Sequence, residues 1–171
     1  DGIEQTLQYS IEERNELFLD LAENYRREGL YEKYLEPVAQ LAEQLSEQGI
    51  DEEVVKEWQE FEVQFLKFQP LMRRFLLTEL YADSLKPEGN LEEMVVQVQW
   101  IAMEYTMIRH SLFLKWMQDG CRDLAYETLR DYLVLITRMT GYEEDDIYEY
   151  LENSFDELVW EWGYLSLIVG K

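Results

Sequence analysis

The chain has one cysteine and one histidine in 171 residues, and each scarcity removes a class of chemistry. Cys121 alone can form no internal disulfide and cannot by itself hold zinc or an iron–sulfur cluster. With His110 as the lone imidazole, a histidine-based zinc site is excluded. A carboxylate-bridged di-iron bundle needs Glu-x-x-His pairs on two helices, and here Met107 stands where the glutamate belongs. Cys121 follows Gly120 near an expected helix start, which would lower its pKa, but no second histidine exists to serve it as a base. No phosphate-cradling glycine loop, dinucleotide fingerprint, hairpin signal, internal repeat or low-complexity linker occurs. There is no charged-then-apolar leader, so a reducing, cytoplasmic setting is expected. The chain opens at Asp1 rather than Met, which fits a C-terminal piece of a longer protein.

The most localised absence is of positive charge. From Met139 to Gly170 there is no Lys or Arg. The same stretch holds nine carboxylates (Glu143, Glu144, Asp145, Asp146, Glu149, Glu152, Asp156, Glu157, Glu161) and seven aromatics (Tyr142, Tyr148, Tyr150, Phe155, Trp160, Trp162, Tyr164). Carboxylates attract a cation at range, and aromatic faces hold a desolvated ammonium or guanidinium. An amphipathic helical hairpin, its aromatics inside and its acids in water, explains the same pattern.

The acidity extends over the whole chain. Lys and Arg total 15 against 37 Asp and Glu, a net charge of −22. Residues 1–69 carry 18 acids and 6 bases, and residues 70–171 carry 19 and 9. Such a surface repels phosphate backbones, so direct nucleic-acid binding is not expected, and a basic protein partner is. At 47% hydrophobic and 14% aromatic the chain is too apolar for disorder, and its length fits one domain, 1–171.

Helical spacing dominates, which gives an all-α bundle of six to eight helices. Ser10-Ile11-Glu12-Glu13 reads as a capping box opening a helix that Gly29 closes. A second helix runs to Gln48, with Pro37 marking a kink or fresh start. Asp51 caps a third, with Val54, Val55, Trp58, Phe61, Phe65 and Phe68 as its apolar set. Pro70 suits the first turn of a fourth, through about Asp83, and residues 86–89 form a loop. Asn90 caps the longest helix, about 91–119, whose middle is apolar almost all round and is therefore enclosed by neighbours. Gln97, Gln99, Glu104, Arg109 and His110 interrupt it too often for a membrane span. A sixth helix ends near Met139, and more helix follows the acidic cap at 143–146. That acidic cluster lacks the alternating calcium-loop pattern, and the helix macrodipole alone accounts for acids there.

On the central helix, Glu104, Arg109 and His110 are the polar groups to explain. Glu104 and His110 are six apart and do not share a face, and Arg109 calls for an acid on another helix. They are either satisfied structural groups or part of a pocket.

Phe68-Gln69-Pro70-Leu71-Met72-Arg73-Arg74-Phe75-Leu76-Leu77-Thr78-Glu79-Leu80 resembles the helix that opens the C-terminal half of bacterial flagellin lysine N-methylases. Glu93 to Met117, containing Tyr105-Thr106-Met107-Ile108-Arg109, is similar to that family's long apolar helix. Asp156 to Ile168, with Trp162-Gly163-Tyr164-Leu165-Ser166-Leu167-Ile168, resembles its terminal helix. The resemblance covers residues from about 65 onward. It implies methyl transfer to flagellin lysines, with an N-terminal cysteine cluster holding iron–sulfur. That cluster is absent from this chain, as is a histidine between Thr137 and Tyr142, so no catalytic residue carries over.

Three functions are compatible with these readings. The first is a helical accessory or substrate-docking domain of a lysine N-methylase, without cofactor in this chain, taking a basic lysine-bearing protein at Tyr148, Glu149, Glu152, Glu157, Trp160, Glu161 and Trp162. The second is a stand-alone acidic interaction module, a DNA mimic or chaperone-like adaptor. The third is the ligand-binding half of a helical regulator with a pocket around Met103, Met107, His110 and Trp116.

Overall fold

In a computed structural model, the described residues are 2–27, 29, 31–84, 90–141, 147, 149–150 and 161–170. They are all-helical, with no strand among them. The first helix, α1 (Gly2–Arg27), starts eight residues before Ser10, so the expected capping box does not form. Leu7 and Ile11 continue one apolar face across Ser10, and its hydroxyl donates instead to the Leu167 carbonyl at 2.6 Å. The inner face of α1 is Ile11, Arg14, Asn15, Leu17, Phe18, Leu21 and Ala22, all buried.

Helix α2 (Glu32–Gln48) runs through Pro37 without a fresh start. It stops where Gly49, at φ +79°, donates its N–H to the Leu45 carbonyl. Helix α3 (Glu52–Phe65) is capped as expected: Asp51 Oδ1 accepts from the N–H groups of Glu53 (3.0 Å) and Val54 (2.9 Å). Asp51→Ala is expected to lower stability by about 1 kcal/mol, seen as a lower urea midpoint at unchanged slope. A 3₁₀ turn (Leu66–Phe68) leads into α4 (Gln69–Glu79), with Pro70 in its first turn. The last stretch, Leu80–Ser84, widens into a π-turn. The expected loop at 86–89 lies outside the described residues.

Helix α5 (Leu91–Gln118) carries a full capping box between Asn90 and Glu93. It closes when Gly120 and Cys121 return their N–H groups to the carbonyls of Met117 and Trp116. Its all-round apolar middle has the consequence expected of it, since α5 packs against α1, α2, α3, α4, α6 (Tyr126–Met139) and α7 (Trp162–Val169). One contiguous core results, with Trp58, Phe61, Phe113, Met103 and Met107 at its centre. The acidic segment 143–146 falls outside the described residues, while Ile147, Glu149 and Tyr150 have helical backbone.

Candidate functional site

The three polar residues singled out on α5 go to different neighbours. Glu104 faces α6, where it accepts from the Thr140 hydroxyl at 2.6 Å. His110 is wholly buried and its Nε2 lies 3.1 Å from Asn15 Oδ1. The Asn15 amide nitrogen donates to the Ala42 carbonyl, so Oδ1 is left to accept and His110 is the Nε2–H tautomer. Its Nδ1 has no partner among the described residues, and Phe18, Trp58 and Phe113 surround the ring. Burial, then repulsion from Arg14 and Arg109, push its pKa down to about 3, so it is neutral.

Arg109 meets the acid its position called for. Glu62 of α3 grips it in a two-pronged pair, Nε to Oε1 at 2.7 Å and Nη2 to Oε2 at 2.6 Å. Its Nη1 donates to the carbonyls of Val169 and Gly170, both at 3.1 Å. Arg14 of α1 does the same from the other side, to Ile168 and Gly170, both at 2.6 Å. The two guanidinium groups flank Trp58, with their carbon atoms 4.4 Å and 5.0 Å from its ring centroid. Burial and the nearby Arg109 push the Arg14 pKa down to about 9. This cluster seats the carboxyl end of α7, whose dipole is negative there. Sequence reasoning missed Arg14, although it falls on the apolar stripe of α1 at i+3 from Ile11.

Met103, Met107, His110 and Trp116, around which a pocket was expected, are all buried. A groove of about 580 Å³ lies between α4 and α5, and of the polar trio only Arg109 reaches it. Cys121 stands five residues before the start of α6, at φ +57°, not at a helix start. Its thiol donates to Glu57 Oε1 at 3.6 Å, and burial with that carboxylate pushes its pKa up to about 11. Such a thiol is a poor nucleophile, and one such residue does not fit an iron–sulfur cluster. Among the described residues no group of His, Cys, Asp and Glu could hold a metal ion, and no helix is long and apolar enough to cross a membrane.

The acidic-aromatic stretch divides between core and surface. Tyr148, Glu152, Glu157 and Trp160 lie outside the described residues. Tyr150 is half-buried, edge-on to Trp100, and donates to Asp20 at 2.8 Å. Tyr164 is buried against α1, and burial and then Glu13 raise its pKa. Glu13 also raises Tyr9, half exposed one turn earlier. Glu149 and Glu161 are exposed, and Trp162 is 56% exposed. Among the described aromatics of the stretch, Trp162 faces solvent and Tyr164 the core, so these two do not share one surface. Glu161 and Trp162, adjacent in sequence, leave the amino end of α7 in water.

No curated protein and no solved structure matches the chain. A family model does, that of the FliB lysine N-methylase C-terminal domain, over residues 3–168. The match bears out the resemblance drawn from α4, α5 and α7 and extends it, because α1 to α3 lie within the same domain. The chain belongs to the FliB lysine N-methylase C-terminal domain family.

Proposed function

We propose that this helical accessory domain of lysine N-methylase type receives a basic, lysine-bearing protein at the amino end of α7. The observation that supports this reading most is Trp162, left 56% exposed beside the exposed Glu161 in a chain of net charge −22. An indole face is the best aromatic acceptor for an ammonium, and this one is open to solvent. The surrounding carboxylates draw a cationic client in, and Glu161 lies close enough in sequence to pair with it. In sequence, Trp160, Glu157, Glu152, Glu149 and Tyr148 add acids and aromatics just ahead of this end of α7. Methyl transfer and any iron–sulfur cluster then belong to residues beyond this chain, in a cytoplasmic enzyme. Nucleic acid and membrane are not its partners, since both present negative charge.

Titration calorimetry of flagellin into the domain at low salt tests this. Trp162→Ala with Glu161→Gln is expected to weaken binding about tenfold, the sum of one cation–π contact and one screened charge pair. The wild-type affinity should fall as salt is added. Equal affinities for the two proteins would refute the assignment of the surface.

A further inference from the structure

Between Glu62 and Glu79 the chain reverses its character, with Lys67, Arg73 and Arg74 and no acid in a molecule of net charge −22. The same stretch is unusually apolar on the outside: Val63, Leu66 and Leu77 are 64%, 49% and 42% exposed, and Tyr81 just beyond is 70% exposed. It forms one wall of the groove. Met72 and Leu76 of α4 face Val98, Ile101, Ala102 and Tyr105 of α5, and the Glu62–Arg109 pair lies at its edge. Arg73 stands on the rim, and Arg74 borders the shallow hollow beside Leu77 and Tyr81. Both are exposed, and neither has a carboxylate partner among the described residues, although acids outnumber bases by more than two to one.

We infer that this groove docks an acidic amphipathic helix from a partner protein. Its apolar side chains would enter between α4 and α5 while its flanking carboxylates meet Arg73 and Arg74. Three observations select this occupant. The groove runs beside the 11 residues of α4, about 16 Å, which accommodates three turns and anchors at i, i+4 and i+7. Leu66 and Leu77 line the groove and Tyr81 lies beyond it beside Leu77, so a small ligand filling the groove would leave Tyr81 wet, whereas a helix lying along α4 covers it. The bases on the rim favour an acidic flank. A second copy of this chain, related by a two-fold axis, would bring the same basic face against itself and offer Arg73 and Arg74 no acid from the stretch between Glu62 and Glu79. An anionic membrane would meet the repulsion of the rest of the molecule. This face is basic and separate from the amino end of α7, so its test and that of the proposed client surface fail independently.

The probe is a fluorescein-labelled helical peptide of about 18 residues, or five turns, with leucines at i, i+4, i+7 and i+11 and glutamates beside them. Fluorescence anisotropy with the full chain at low salt should show saturable binding. Arg73→Glu with Arg74→Glu, both on the surface, should weaken it about tenfold or more. A peptide carrying lysines in place of the glutamates should prefer that variant to the wild type. Leu77→Ser should also weaken the acidic peptide, with helicity by circular dichroism unchanged in both variants. No binding of the acidic peptide, or binding indifferent to the charge reversal, overturns the inference. So does wild-type dimerisation by sedimentation, or binding to phosphatidylserine vesicles, that the same charge reversal abolishes.

Discussion

Glu62→Gln is expected to destabilise the protein by about 3–5 kcal/mol, the usual result of removing one partner from a buried ion pair. Arg109 is 3% exposed and Arg14 is wholly buried, and Glu62 is the acid that grips Arg109 and whose charge also favours the Arg14 cation. Without its charge, two guanidinium groups stacked on Trp58 share nothing but the carbonyls of Ile168, Val169 and Gly170. Urea denaturation should show the loss directly, and for a domain of this size the melting temperature should drop by roughly 6–20 °C. The two arginines repel each other, so the changes should not add. Arg14→Met should cost about 1–2 kcal/mol less in the Glu62→Gln background than in the wild type, because it then also relieves an uncompensated charge. A loss within about 1 kcal/mol for Glu62→Gln would mean that the pair behaves as a surface one, and the account of the seat of α7 would fall.

The same cluster shows where the sequence is legible and where it stops. Arg109, on an apolar helix, demands an acid, and that demand is local. The identity of the acid is not, since Glu62 lies 47 residues away on another helix. Helix ends written in adjacent residues were readable: Asp51, Asn90, Gly49 and Gly120 each do what their neighbours announce. Ser10 misleads because its motif has meaning only at a helix start, and the apolar period that crosses it from Leu7 to Ile11 outranks it. Cys121 misleads in the opposite sense, because Arg122 to Ala125 separate it from α6. The late aromatics could have been divided by turning the helix. Trp162 and Tyr164 are two residues apart, about 200° around the axis, so one faces in when the other faces out. Composition gave the acidity, but not the basic, apolar wall at α4, which emerges only when α4 and α5 are set side by side.

Acid should unfold this protein through His110. In the native state its pKa is pushed down to about 3, and in the unfolded chain it returns to about 6.5. Above pH 6.5 neither state binds the proton, and the stability attached to the neutral ring is fully present. As pH falls from 6.5 toward 3 the unfolded chain takes up a proton that the native state refuses, so stability declines by about 1.4 kcal/mol per pH unit. Between pH 6.5 and 4.5 the loss should reach about 3 kcal/mol. The refusal has a visible cause. A proton on Nδ1 would sit among Phe18, Trp58 and Phe113 without an acceptor, close to Arg14 and Arg109. Protonation of surface carboxylates works the other way by relaxing the repulsion of a −22 surface, so the comparison must be with a variant that keeps that surface. His110→Gln can still donate to Asn15 Oδ1 and does not titrate. Urea midpoints of the two proteins at pH 7 and pH 4.5 should converge as pH falls, the wild type losing about 3 kcal/mol more than the variant. Parallel losses would show that the imidazole takes its proton inside the folded protein, and with it the tautomer and the dry aromatic box would have to be given up.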